Sequence, residues 1–150
     1  MKRCITWLLL LCMTAALLLP VQAAEDPVTE VIYLENGDSI VVTLEVMGTR
    51  TSGRKTASKS YTYRNADGSK AWTVTLTGTF TYTGTTSTCT KASSSITFHD
   101  SLWYLKAKST KASGSSAIVD LTVAYEVQGT VTETKSCTVT LTCDKNGNLS

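Results

Sequence analysis

The stretch from Ala71 to Tyr82 alternates along its whole length, and the rest of the chain has to be arranged around it. Trp72, Val74, Leu76, Phe80 and Tyr82 are apolar at even positions, and threonine fills every odd position from 73 to 83. A period of two sends successive side chains to opposite faces, so the pattern predicts a strand buried on one side and wet on the other. Trp72 and Phe80 give it the largest apolar load in the chain, which makes it the candidate central strand. Gly78 interrupts the apolar row, as glycine does at a bend or where another segment crosses closely.

The same period recurs on both sides. Residues 30–34 form a short strand, and Asn36-Gly37 is the strongest short hairpin signal. Ile40, Val42, Leu44 and Val46 then line one face of the return strand. From Gly48 to Lys59 there is no apolar period, and the run of small, polar and basic residues reads as a mobile loop. Tyr61 and Tyr63 make a short strand that turns at 65–69 into the central one. Cys89, Ile96 and Phe98 fall in different registers, which predicts a bulge within 91–95. Leu102 to Lys108 is a strand whose buried face is either Trp103, Leu105 and Ala107 or Leu102 and Tyr104, and Lys106 and Lys108 beside Tyr104 favour the first. Ala117 to Val127 alternates, and so does the last strand, where Cys137, Val139, Leu141 and Cys143 share a face. About eight strands and no helical period predict an all-β fold, a single immunoglobulin-like antiparallel β-sandwich over residues 25–150, with a closed barrel as the alternative.

Lys2 and Arg3, the apolar run to Leu19 and the small residues at Ala23-Ala24 have the form of a secretory signal peptide over residues 1–24. The run is shorter than the roughly 20 residues that span a bilayer, so the expectation is an extracellular protein with no membrane span after cleavage. Without Lys2 and Arg3, the chain carries 12 basic and 12 acidic residues, which gives no basis for nucleic-acid binding. The charges are segregated: residues 25–49 hold six acids and no base, and residues 50–115 hold ten bases and two acids.

Three cysteines follow the leader. Cys137 and Cys143 lie six residues apart on one predicted strand, roughly 20 Å at about 3.3 Å per residue, too far to bond. Cys89 therefore pairs with Cys143 or Cys137. Cys143 is preferred because it ends its strand where Cys89 begins its own, which leaves Cys137 as a buried thiol. His99-Asp100 lacks a companion nucleophile and reads as a turn. Asp144, Asn146 and Asn148 echo the start of a calcium loop without its later ligands and read as an Asx turn. The threonine rows read as solvated strand faces. No metal or other cofactor is implied. Tyr61, Tyr63, Arg64, Tyr104 and Lys106 are the candidate binding surface, an aromatic and basic platform for a glycan or protein partner.

The run from Trp72 through Phe80 and Tyr82 to Cys89, the His99-Asp-Ser-x-Trp103 turn and the terminal segment Leu141 to Ser150 resemble an uncharacterised family of small secreted β-sandwich proteins of Gram-positive gut bacteria. The resemblance implies secretion, a β-sandwich and the Cys89–Cys143 pairing, and it carries no catalytic residue. The functional expectation is a non-enzymatic surface-binding module. A structural or colonisation factor that self-associates through an edge strand is the alternative.

Overall fold

The computed structural model describes residues 26–51 and 53–150, apart from the side chains of 48–51, so the leader expected over residues 1–24 lies outside the described residues. Eight strands follow one another: β1 (Val28–Tyr33), β2 (Ser39–Thr51), β3 (Arg54–Arg64), β4 (Lys70–Tyr82), β5 (Ser87–Phe98), β6 (Trp103–Ser113), β7 (Ser116–Val127) and β8 (Thr130–Thr142). They form two antiparallel sheets, β1-β2-β3-β4-β5 and β6-β7-β8, which face each other as a sandwich. Each sheet is a meander, and the chain changes sheet once, through residues 99–102. Immunoglobulin domains use Greek-key connections, so this fold shares their two-layer architecture with a simpler strand order. Among the described residues, no helix is long and apolar enough to cross a membrane.

The even row of β4 builds the core. Val74, Leu76 and Phe80 are fully buried, and they face Val119, Leu121 and Val123 of β7 and Val139 and Leu141 of β8. Each such side chain contributes about 1.5–3 kcal/mol by leaving water. At Gly78 the ring of Phe80 folds over the backbone: a Cβ there would lie 2.6 Å from the ring and 3.1 Å from Ala117 of β7. The missing side chain leaves room for the Phe80 ring and lets Ala117 approach the β4 backbone. On the outer face the hydroxyls pair across strands, Thr62 with Thr73 at 3.0 Å and Ser60 with Thr75 at 2.9 Å.

The sequence expectation fails over 48–59, where the structure has strand instead of loop. β2 runs on to Thr51, Gly53 turns with φ +78°, and β3 starts at Arg54. Its inner row is Lys55, Ala57, Lys59, Tyr61 and Tyr63, opposite Phe80, Gly78, Leu76, Val74 and Trp72. The lysine stems lie along the core edge while their ammonium groups reach carbonyls of the last segment: Lys55 Nζ donates to Gly147 O, and Lys59 Nζ to Thr140 O at 3.1 Å. Lysine at an inner position hides the apolar period from the sequence. The bulge of β5 falls on Thr90, just before the expected window, and lets Cys89 sit opposite Phe80. A second bulge leaves Lys106 unpaired. Trp103 and Leu105 therefore lie opposite the inward Tyr125 and Val123, while Ala107 lies opposite Thr122 and not in the inner row.

The β1–β2, β3–β4, β5–β6 and β7–β8 connections gather at one end, and the other turns gather at the opposite end with the C-terminal segment. There Thr142 and Ser150 exchange hydrogen bonds of 2.9 and 3.0 Å, Gly84 N donates to Lys145 O at 2.9 Å, and Gly147 packs beneath the ring of Tyr82. β8 lies over β3, and the backbones of β1 and β2 stay farther from the second sheet.

Gln128 (φ 51°) and Gly129 (φ 77°) form the two-residue β7–β8 turn, with the glutamine held in the left-handed region. Replacing it with Asn or Gly, which occupy that region at lower cost, is expected to stabilise the protein by about 0.5–1 kcal/mol. Thermal unfolding of Gln128→Gly measures the gain.

Candidate functional site

Four aromatic rings meet where β3, β4, β6 and β7 reach the loop end. Tyr63 stacks on Trp72 at 5.3 Å with an interplanar angle of 8°. Trp103 stands edge-on to Tyr63 at 5.9 Å and to Trp72 at 6.5 Å, and Tyr125 lies 5.3 Å from Trp103. Offset and edge-on geometries are the ones ring quadrupoles favour. The period-two pattern puts each ring on an inner row, and its place at a strand end puts it beside a turn.

The turns supply polar groups over these rings. Asn36 and Asp38 come from the β1–β2 turn, Asn65 from β3–β4, Asp100 from β5–β6, and Glu133 from the start of β8. With Tyr63, Trp103 and Tyr125 they line a cavity of about 280 Å³. Tyr63 Oη donates to Asp38 Oδ2. Lys135 lies 5.4 Å above the Tyr63 ring and pairs with Glu133 at 2.6 Å. Burial pushes the Tyr63 phenol up, the hydrogen bond to Asp38 adds to that, and Lys135 opposes it. Glu133 is the main cause of the raised Lys135 pKa. Asp100 Oδ1 accepts from Leu102 N at 2.9 Å, which shapes the sheet-to-sheet connection. The cavity thus has an amide and carboxylate rim over nearly buried rings, Tyr63 and Trp103 being 3% and 4% exposed, with Tyr125 its partly exposed ring and with three acids and one paired lysine around it.

The residues expected to form a binding surface are not assembled into one. Tyr61, Tyr63 and Arg64 lie on β3, while Tyr104 and Lys106 lie on β6 of the other sheet. The tyrosines of β3 face inward, which sequence reasoning had not anticipated. Tyr61 packs against the core, and its pKa is raised by burial, then by Cys137 and Glu30. Arg64 Nη1 donates to Gly68 O at 2.8 Å and braces a turn. Only Tyr63 reaches the cavity. Sequence reasoning missed Asn36, Asp38, Asn65, Trp103, Tyr125 and Glu133 as a set. The available signal was that in a meander alternate turns share one end, so polar turn residues next to strand-end aromatics converge.

The other motifs have structural partners. His99 Nε2 lies 3.1 Å from Thr73 Oγ1. Asp144 accepts from the backbone of Asn146 and Asn148 and from Asn148 Nδ2, each at 2.8 Å, and this lowers its pKa. A carboxylate aimed at three N–H donors makes an Asx turn. No group of three His, Cys, Asp or Glu side chains suited to a metal occurs among the described residues. A second depression, of about 410 Å³, crosses the middle of β6, β7 and β8, where Thr122 is paired with Ser136 and Thr138 with Asp120.

The expected Cys89–Cys143 bond is not formed: Cys89, Cys137 and Cys143 are all free thiols. Cys89 and Cys143 are buried on facing sheets, and both reach the β6–β7 turn. Cys89 N donates to Gly114 O at 2.7 Å, and Cys143 N to the next carbonyl, Ser115 O, at 3.0 Å. Burial raises the Cys89 pKa, and Cys143 adds to the rise. Cys137 lies apart, opposite Leu121.

Comparison with protein-family models, curated proteins and solved structures finds no match. Fold and site together define an all-β two-sheet sandwich with a polar cavity over an aromatic cluster at one end. Any reading of its function therefore rests on the residues themselves.

Proposed function

We propose that this protein is a secreted, non-enzymatic binding module whose loop-end cavity takes a terminal sugar of a neutral or amino-sugar glycan. The observation that carries this reading is the convergence of amide and carboxylate side chains from four turns around one partly exposed ring, Tyr125, in one cavity. The Tyr125 ring can meet the C–H face of one sugar ring, and the planar amide and carboxylate side chains fix its hydroxyls, a division of labour common in small-molecule sites. The volume, at the lower end of such sites, suits one or two rings. Asp38, Asp100 and Glu133 make the rim acidic, which disfavours sulfated or sialylated glycans. Each already serves a neighbour: Asp38 holds Tyr63, Asp100 holds Leu102 and Glu133 holds Lys135. Carboxylates committed in this way fix a ligand better than they shuttle a proton.

In an oxidising compartment, Cys89 and Cys143 give up two protons and two electrons to a disulfide oxidant and form the cross-sheet bond. The shared turn that holds both residues supports this pairing. Titration against glycan panels tests the binding reading. Saturable binding of a neutral or amino sugar is expected, weakened about tenfold, or about 1.4 kcal/mol, in Tyr125→Ala and Asn65→Ala. A preference for acidic glycans, or binding that both variants leave unchanged, would remove the cavity from consideration.

A further inference from the structure

We propose that two copies of this protein pair edge to edge through β1, antiparallel about a two-fold axis at Val31, so that their five-stranded sheets run on into each other. This inference is independent of the cavity. Two open sheets leave four edge strands, each a row of unpaired amides and carbonyls. Three of them are engaged or blunted within the molecule. β5 and β6 close one flank together, through Ser94 Oγ and Thr110 Oγ1 at 2.6 Å and Lys108 Nζ to Ser94 O at 3.3 Å. β6 also bulges at Lys106. On β8, Thr140 O accepts Lys59, and Thr142 exchanges hydrogen bonds with Ser150. Among the described residues, β1 has no such cover. It pairs with β2 alone, its ladder is regular over six residues, and it exposes Val28 (67%), Tyr33 (80%), Val31 and Ile32.

The occupant follows from the register. Leu34 N donates to Asp38 O at 2.9 Å, so Leu34 turns its backbone toward β2. Antiparallel ladders alternate, so Glu30 and Ile32 also face β2, and Thr29, Val31 and Tyr33 turn their N–H and C=O groups outward. A second β1 meets these groups with its own. With Val31 opposite the partner's Val31 and Thr29 opposite the partner's Tyr33, every outward group of the strand is paired. The adjacent registers do worse. An axis at Glu30 sets two carboxylates directly opposite each other and brings Pro27, which has no N–H, opposite Tyr33. An axis at Ile32 puts Thr29 opposite Glu35, beyond the end of the strand. With the axis at Val31, each Glu30 lies beside an Ile32, and each Tyr33 ring lies diagonal to a Val31, within reach of it. The contact uses the same edge of both copies, so it closes at the dimer. A strand of this length covers less than the roughly 800 Å² per partner of a standard interface, so the dimer is weak. Residues 26–47 hold five acids and no lysine or arginine. Their mutual repulsion opposes the pairing, so added salt strengthens it.

Sedimentation from micromolar to near-millimolar concentration, at low and high salt, tests the dimer, and disulfide trapping tests its register. The expected mass rises from monomer to a plateau at dimer, and the midpoint moves to lower concentration as salt is added. Val31→Lys sets two ammonium groups opposite each other and should weaken association about tenfold. Glu30→Thr should tighten it about threefold. For trapping, each new cysteine is placed in the Cys137→Ala protein and oxidised with glutathione disulfide. Val31→Cys puts two thiols on a hydrogen-bonded pair with Cα atoms about 5.5 Å apart, within reach of a bond. Thr29→Cys leaves its two thiols roughly 13 Å apart, at about 3.3 Å per residue, and out of reach. Covalent dimer should therefore form in Val31→Cys and in a mixture of Thr29→Cys with Tyr33→Cys, and not in Thr29→Cys alone. A monomer throughout the range, a mass that grows past the dimer, or equal trapping at positions 29 and 31 overturns the proposal.

Discussion

Once the proposed Cys89–Cys143 bond has formed under oxidising conditions, its reduction is expected to lower the unfolding free energy by about 4 kcal/mol, the loop-closure value for a bond across about 55 residues. Cys89→Ala and Cys143→Ala should each bring a loss of that size under oxidising conditions, and the double variant little more, because a broken pair is lost once. Cys137→Ala should cost less. Peptide mapping of the native protein is expected to show Cys89 joined to Cys143 and one thiol per chain. Three thiols, or Cys89 joined to Cys137, would refute the pairing. The remaining thiol has its own signature. Burial, with Asp120 adding, pushes Cys137 up to about 11 from the usual 9.0. The folded chain then keeps a proton that the unfolded chain releases, so the contribution is intact below about pH 9 and is lost as pH rises toward 11. Alkylation of Cys137 near pH 8 should be slow until the protein unfolds.

The second large effect is expected at Gly78, where one methyl group should cost about 2–3 kcal/mol and lower the melting temperature by roughly 10 °C. The Cβ of Gly78→Ala would sit 2.6 Å from the Phe80 ring and 3.1 Å from Ala117. Phe80 is fully buried and has nowhere to move. Phe80→Leu removes the ring and leaves a cavity, so it is destabilising by itself. Combined with Gly78→Ala, it should cost less than the two changes summed, because the new methyl occupies space the ring has vacated. Strict additivity in a double-mutant cycle would show that ring and glycine are not in contact.

Much of the fold was legible because alternation survives wherever one face meets the other sheet. Residues 71–82, the Asn36-Gly37 turn and residues 117–127 show this. Legibility failed at Lys55 and Lys59, whose inner positions carry charge at the tip and hydrocarbon along the stem. A period counted by residue type cannot see an inner row in which the core is lined by methylenes and the ammonium leaves through a partner carbonyl. The cavity was hidden for another reason. Asn36 and Glu133 are remote in sequence and meet only because an even number of strands separates their turns. Tyr63 stood out as an aromatic, but whether it faces the core or the solvent depended on a register that β4 sets from the other side of the ladder.

The meander itself shapes how such a chain reaches its fold. Every hydrogen-bonded ladder joins strands adjacent in sequence, so each hairpin can close from its own turn without waiting for a distant segment. The search over long chain separations, which slows most β-sandwiches, is confined to a single event, the docking of the three-stranded layer onto the five-stranded one. The connection through residues 99–102 makes that docking intramolecular and short in reach. The last eight residues, which bind Gly84 and cover Tyr82, close the far end as the two layers come together.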